Sequence, residues 1–476
     1  MRILKFGGTS VGSAESIRTV LSIIDASVRE EPTVAVVSAL GGITDQLVSA
    51  IALAEGGQSH WQTLLAEIRR RHLDLVPELV AGDFRQGVAK SLEARLTFLA
   101  NRLEGVQLLR DCSPRVRDQI LGSGEYLSSH LLNGALLSRK IPALLFDPAR
   151  LIFARARGAE PVVDFEITNA QVRQALEGLG QGTVAVVGGF IAGGEAGIAL
   201  TLGRGGSDYS ATLIGAALKA SRVEIWTDVD GVRSADPRLV PESRILTEIS
   251  YREAEEMAFM GAKVLHPKTI LPVKKAGIPV VIRNSFNPTF PGTRITADPA
   301  QTLPGIKSLS LLKNQISLSV QTPQPLSGGG FNRPLHYALA NLRQAPLQVN
   351  QFNTGQEVQL LLAGDSVAEF RELLFREFEG GGENDNLPLV IPGEPVAVVT
   401  ALHSADREPW GERMVRQLRR EGISVRGAFG GGSDQTSVVV SERQAEEAIR
   451  VLHRIFIDEA AEWQEREGFG RLGRVS

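Results

Sequence analysis

A single cysteine, Cys112, stands in 476 residues, so no internal disulfide forms and the fold is held by packing, in keeping with a reducing compartment. Aromatic residues are scarce, at 5%. None interleaves the basic run Arg69-Arg70-Arg71, which reads as a solvated helix face rather than a nucleic-acid patch. Charge of one sign is also lacking: the formal net charge is -3. That balance argues against nucleic acid or a membrane surface as the main partner. No apolar run is long enough to span a bilayer. The chain opens on a strand pattern rather than a basic-then-apolar leader, so a cytoplasmic location is expected. Several chemistries are absent by motif: there is no G-x-x-x-x-G-K-[ST], H-R-D, D-F-G, H-E-x-x-H, C-x-x-C or G-x-S-x-G. A nucleotide user built from this sequence needs a phosphate cradle of another design.

What is present is alternation. Up to about residue 300, apolar runs at Val34–Ser38, Ala143–Phe146, Val184–Val187, Val223–Trp226 and Val280–Arg283 are separated by helical patterns. Continuous apolar strands predict a mostly parallel sheet sandwiched by helices. The span Trp61–Arg110 is helical, with Leu92, Leu96, Leu99 and Leu103 as core candidates. A boundary is expected near residues 296–310. Beyond it come two short modules, each reading strand, helix, strand, strand, helix, with a Gly/Pro-rich linker over 379–395. The expected division is 1–300, 305–380, 393–460 and a polar tail at 461–476.

Six stretches carry candidate chemistry. In KFGGTS, residues 5–10, Lys5, Gly7 and Gly8 close the first strand and lead toward a helix. Such a turn aims amides and a helix dipole at an anion, although a Gly-Gly also suits a plain β–α turn. VVSALGGITD repeats that grammar with Ser38 and Thr44 as hydroxyl donors. LGSGEYLSS sets Glu125 at a Gly-rich helix start; its G-x-G-x-x-L follows no clear strand, which rejects a dinucleotide fingerprint. In TLGRGGSDYSA, Arg204 sits among glycines ahead of Ser207 and Asp208. A cap alone would explain Asp208, but an arginine in that setting suits a bidentate contact to a small carboxylate or phosphate. WTDVDGVRSADPR offers Thr227, Asp228 and Arg238 on a long loop, and MGAKVLHP offers Lys263 and His266. A lone histidine of this kind is more often structural than a catalytic base.

These six stretches, in this order over residues 1 to about 295, resemble the aspartokinases of the amino acid kinase family, and the two C-terminal modules look like the paired ACT domains of the same enzymes. The resemblance implies an amino acid kinase fold followed by two ferredoxin-like α+β ACT modules. It implies phosphoryl transfer from ATP to the side-chain carboxylate of L-aspartate, giving 4-phospho-L-aspartate, the first step toward lysine, threonine and methionine. By the family pattern Lys5, Gly7 and Gly8 face the transferring phosphates. Ser38, Thr44, Glu125, Arg204 and Ser207 bind aspartate. Thr227, Asp228, Arg238 and Lys263 hold the nucleotide, and Asp208 organises the phosphate-side cations; on physical grounds its better role is to orient Lys5 rather than to act as a base. Mg²⁺ is expected on the nucleotide phosphates, with no dedicated protein metal site. The ACT modules imply a homodimer.

Physical chemistry points the same way. The acceptor carboxylate, with an ordinary pKa of about 3.9, arrives ionised and needs no general base. The difficulty is bringing one anion against a polyanion, which calls for positioning and cations. Two departures from the family stand out: Arg233 replaces a common aromatic, and Pro323–Pro334 lacks the usual small-residue turn into a helix. The second predicts weakened feedback inhibition. A non-catalytic amino acid sensor and a kinase for a related acid such as glutamate are the competing readings; one methylene discriminates by only about 10–200-fold.

Overall fold

The computed structural model describes residues 1–157, 160–261, 265–299, 305–321, 332–342, 344–351, 357–379, 387–404, 408–432 and 434–459. Two compact units emerge. The first comprises Met1–Val232, Ile245–Phe259 and Lys263–Gln301; the second comprises Arg233–Arg244, Met260–Ala262 and Thr302–Ser476.

In the first unit the strands are β1 (Arg2–Phe6), β2 (Thr33–Val37), β3 (Ala143–Phe146), β4 (Ala154–Arg157), β5 (Glu160–Val163), β6 (Val184–Gly188), β7 (Ile191–Gly193), β8 (Ala199–Thr201), β9 (Arg222–Thr227), β10 (Glu248–Ser250), β11 (Val280–Asn284) and β12 (Thr293–Thr296). Its helices are α1 (Ala14–Glu30), α2 (Ile43–Glu55), α3 (Trp61–Leu79), α4 (Phe84–Leu109), α5 (Pro114–Leu121), α6 (Ser123–Ser138), α7 (Phe165–Leu176), α8 (Gly206–Leu218), α9 (Tyr251–Phe259) and α10 (Pro267–Ala276). Eight strands form one sheet in the order β10-β12-β11-β9-β1-β2-β6-β3. Every neighbouring pair is parallel except β11 with β12. The sheet is the expected parallel one because β1, β2 and β6 are buried along their whole length.

Alternation along β1 decides what faces where. Leu4 and Phe6 join the core shared with Ile17, Leu21 and Ile24 of α1. Ile3 lies on the other face, toward Gly215 of α8, and Lys5 follows it there by period two. Helix α1 begins at Ala14 because Ser13 and Ser16 cap each other's backbone amides at 3.2 Å. Its N-terminus is therefore closed by its own serines, and the glycines of KFGGTS form a separate loop before it. This corrects the expectation that α1's dipole backs the cradle.

The second unit is a single six-stranded sheet, not two sheets in series. Its strands are β13 (Ile306–Gln321), β14 (Gln348–Gln351), β15 (Glu357–Ala363), β16 (Leu389–His403), β17 (Val425–Gly432) and β18 (Gln435–Ser441), in the order β14-β15-β13-β16-β18-β17. Its helices are α11 (Asn332–Asn341), α12 (Val367–Glu379), α13 (Trp410–Arg420) and α14 (Ala445–His453). Strands β13 and β16 are long enough to serve both modules: Ile306–Leu312 pairs with the C-terminal half of β16, and Gln315–Gln321 with its N-terminal half. Residues 389–395, expected in a linker, thus form strand. Pro392 and Pro395 are tolerated there beside a register irregularity between Ile316 and Leu318. Leu335, Phe370 and Leu374 cover one half of the sheet, and Met414, Leu418, Ile449 and Leu452 the other. Most of Pro323–Pro334, through residue 331, and the tail from 460 lie outside the described residues.

Candidate active site

The carboxyl ends of β1, β2, β6 and β9 lie side by side, the edge at which open α/β sheets bind ligands. There the β1–α1 and β2–α2 loops are laid on one another. The Gly41 N–H donates to the Gly8 carbonyl at 2.9 Å, and the Ser38 N–H to the Phe6 carbonyl at 3.1 Å. The approach is close: a Cβ on Gly8 would stand 3.0 Å from the Ala39 carbonyl oxygen. Arg71, the last member of the basic run, donates to the Gly41 carbonyl at 3.0 Å. Its two neighbours pair instead with Glu93 and Asp74.

Lys5 Nζ meets Asp208 Oδ1 at 2.6 Å. Asp208 is the third residue of α8, not its cap. The cap is Gly205, in the left-handed region at φ 69° with no side-chain hydrogen bond to the helix. A Cβ on Gly205 would also come within 2.8 Å of the His266 Cβ, so only glycine fits. Helices α2 and α6 likewise begin on glycines, Gly42 and Gly122, with no side-chain cap. Uncapped first-turn amides are suited to an anion.

Between these elements lies a cleft of about 530 Å³. Lys5, Gly8, Ser38, Thr44, Glu125, Arg204, Ser207 and Asp208 all line it. Arg204 is exposed, and its guanidinium makes no hydrogen bond or ion pair among the described residues. Glu125 is buried, and its Oε2 has no hydrogen-bond partner among the described residues. Burial pushes its carboxyl up to about 8, against the pull of the Ala39 amide, its own amide and the Lys5 charge. The cleft thus holds an unengaged cation, a desolvated acid and a lysine with its counter-ion.

Other candidates sit elsewhere. The Gly7 amide is bound to the Trp226 carbonyl at 3.0 Å. Thr227 ends β9, one strand from Lys5, and Asp228 follows it, with the Thr227 hydroxyl donating to Asp228 at 3.1 Å. Arg238 belongs to the second unit, where it forks onto Asp236. Lys263 lies outside the described residues. Arg233 turns onto Ser243, through the hydroxyl at 2.9 Å and the carbonyl. His266 caps α10 by accepting the Lys268 amide, a structural role.

Sequence reasoning missed Thr201, Phe190 and Arg71. Thr201 lines the cleft and donates to Asp118 at 2.6 Å. Phe190, also on the cleft, is held at φ 68°, with its amide on the Ser210 hydroxyl at 3.0 Å and its carbonyl accepting from Leu202 at 2.7 Å. The GGF after β6 was the available signal, a strand end followed by glycines like the others.

A model of the amino acid kinase family matches residues 1–284. The chain belongs to that family. Among curated relatives, the bifunctional aspartokinase/homoserine dehydrogenase 1 of Zea mays is 30% identical, covering 99% of this chain and 52% of its own length. Aspartokinase 2 of Arabidopsis thaliana is 31% identical, covering 96% and 84%. The chain spans about half the length of the bifunctional relatives. Among solved structures, E. coli aspartokinase III in complex with aspartate and ADP (R-state) is 29% identical, with a TM-score of 0.80 over 95% of this chain and 99% of that one. The same enzyme with lysine and aspartate (T-state) gives 0.74. The amino acid kinase sheet and the C-terminal ACT-type sheet account for the two units. Among the described residues no helix is long and apolar enough to cross a membrane.

Proposed function

We propose that this member of the amino acid kinase family is an aspartate kinase, transferring the γ-phosphoryl group of ATP to the side-chain carboxylate of L-aspartate. The observation that carries this reading is one cleft holding both Arg204, an unengaged guanidinium, and Glu125, a buried carboxyl with a free oxygen. A zwitterionic amino acid needs both. Arg204 takes the α-carboxylate as a fork, Glu125 takes the ammonium, and Ser38, Thr44 and Ser207 supply hydrogen bonds. The E. coli relative solved with aspartate and ADP supports the same assignment.

In the reaction a side-chain carboxylate oxygen attacks the γ-phosphorus. The bond from phosphorus to the β–γ bridging oxygen breaks, and ADP leaves with the electron pair. Lys5, oriented by Asp208, places its charge where the phosphoryl oxygens gather negative charge; Gly7 and Gly8 let the backbone approach. Thr227, Asp228, Arg238 and Lys263 hold the nucleotide. Asp45, Glu125 and Asp208 are the carboxylates lining the cleft, and Asp208 is already engaged by Lys5. With Glu125 given to the ammonium, Mg²⁺ would be carried mainly by the nucleotide phosphates, whose charge it would neutralise. The C-terminal sheet ends in edge strands β14 and β17, and pairing such edges across a two-fold axis supports a homodimer.

ADP release measured with aspartate, with glutamate and with no acceptor tests the reading. Aspartate-dependent turnover is expected. Equal turnover with glutamate would reassign the substrate, and none with either acid would favour the sensor.

A further inference from the structure

The chain leaves the first unit after Val232 and returns at Ile245, and the excursion between them, Arg233–Arg244, is built into the C-terminal unit. Ala235 and Val240 are buried in its core with Trp410, Leu452 and Phe456. The Ser234 carbonyl accepts the Leu309 N–H of β13 at 2.7 Å, and the Leu239 carbonyl accepts from Arg450 of α14 at 2.9 Å.

Beneath the loop runs a relay of three side chains. Ser234 Oγ lies 2.9 Å from His453 Nε2, and His453 Nδ1 lies 3.0 Å from Asp458 Oδ2. Asp458 closes the π-helical turn Arg454–Asp458 that continues α14. With Nδ1–H donated to the carboxylate, Nε2 is left to accept the Ser234 hydroxyl hydrogen. The order of residues is that of a hydrolase triad, but the setting is not. Ser234 is 1% exposed and His453 0%, and the same Oγ accepts the Arg244 amide at 2.9 Å. No substrate reaches that oxygen. Asp458 is half-buried, but Ser234 and His453 are sealed from water, so breaking the link between them leaves a buried polar group without its partner.

We propose that Ser234, His453 and Asp458 form a positioning latch, which sets the loop presenting Arg238 and so ties the end of the second ACT-type module to ATP rather than to aspartate. The inference rests on reading Arg238 as a nucleotide residue. Arg238 follows Ser234 by four positions, and the Asp236 carboxylate that receives its fork also lies between the latch and the tip.

The test uses the full chain. Ser234→Ala and His453→Gln should raise the ATP KM about five- to tenfold, the worth of roughly one hydrogen bond, with the aspartate KM unchanged within about twofold. Ser234→Thr, which keeps the hydroxyl, should restore the ATP KM. In an Arg238→Ala background Ser234→Ala should add nothing. Should His453→Gln not accumulate as folded protein, Ser234→Ala, which loses one hydroxyl, decides alone. If Arg238→Ala raises the ATP KM while Ser234→Ala leaves it unchanged, the latch is refuted and the nucleotide assignment survives. If Arg238→Ala leaves the ATP KM unchanged, the assignment itself is wrong and the latch falls with it. Equal rises in both KM values would show a merely structural role.

Discussion

If Glu125 takes the ammonium of aspartate, as proposed, its raised pKa would make aspartate binding a proton-release reaction. With its carboxyl at about 8, roughly one molecule in ten carries the charge at pH 7. An ammonium group needs that charge, so binding at pH 7 should expel close to one proton. Aspartate affinity should improve about tenfold per pH unit from 6 to 8 and level off above. The unliganded protein moves the opposite way. A group whose folded pKa lies above its unfolded value contributes stability that is fully present below about 4.5 and is lost as pH rises through 8. Aspartate should restore it. Glu125→Gln keeps the shape and removes the titration: the slope should vanish, and affinity at pH 8 should fall by roughly 10–150-fold, the worth of a charge-assisted hydrogen bond. Calorimetry in two buffers of different ionisation enthalpy counts the proton directly. A flat aspartate affinity between pH 6 and 8.5, with no proton released at pH 7, would refute the placement of Glu125 on the ammonium.

The remaining expectations are briefer. Lys5→Ala should lower kcat by orders of magnitude while aspartate affinity stays within a few-fold, because its charge counts mainly in the transition state; a kcat near wild type removes Lys5 from the chemistry. Arg204→Lys should raise the aspartate KM strongly and leave the ATP KM nearly unchanged, since an ammonium does not replace a fork; the reverse pattern would assign Arg204 to the nucleotide. His72, buried in α3 with Nδ1 2.8 Å from the Ile68 carbonyl, is held down by burial at about 4. Its folded pKa lies below the unfolded 6.5, so stability present above 6.5 is lost as pH falls toward 4, by about 3 kcal/mol at most; thermal melts should show wild type losing this stability from pH 6.5 to 4 and His72→Leu lacking that slope, and parallel pH profiles would refute the assignment. Deleting residues 305–476 should give a weakly associating protein insensitive to lysine or threonine, read by light scattering beside activity, and a persistent dimer would move the interface elsewhere.

The site was legible where its residues announce themselves by type. Lys5, Glu125, Arg204 and Asp208 each interrupt a glycine-rich strand end or helix start; the helix dipole alone would account for the two acids, but all four reach one cleft. The anion-binding helix was less legible. KFGGTS lies next to α1 in sequence, but Ser13 and Ser16 close that helix, and the uncapped N-termini come from α2, α6 and α8, brought in by the sheet order. Sequence adjacency favoured the wrong helix. Arg71 was hidden for a related reason: its role depends on α3 packing beside the β2–α2 turn, which no local pattern encodes.

In the C-terminal half the elements were readable and their sharing was not. Period-two patterns locate strands, but they do not say that one strand serves two modules. The irregularities in the pairing of β13 with β16, between Leu312 and Gln315 and between Ile316 and Leu318, fall where the two halves meet. Each module therefore completes its sheet with half a strand from the other. The shared strands β13 and β16 join the two modules, and Asn314, held at φ 56°, marks a bend in β13 where its two halves meet. The β13 segment that completes the second module also takes the Ser234 carbonyl through Leu309. An effector bound at the first module would thus have a route along β13, completed by the Leu309–Ser234 hydrogen bond, to the loop that carries Arg238. It can act there only to the extent that it binds two arrangements of that strand with different affinity.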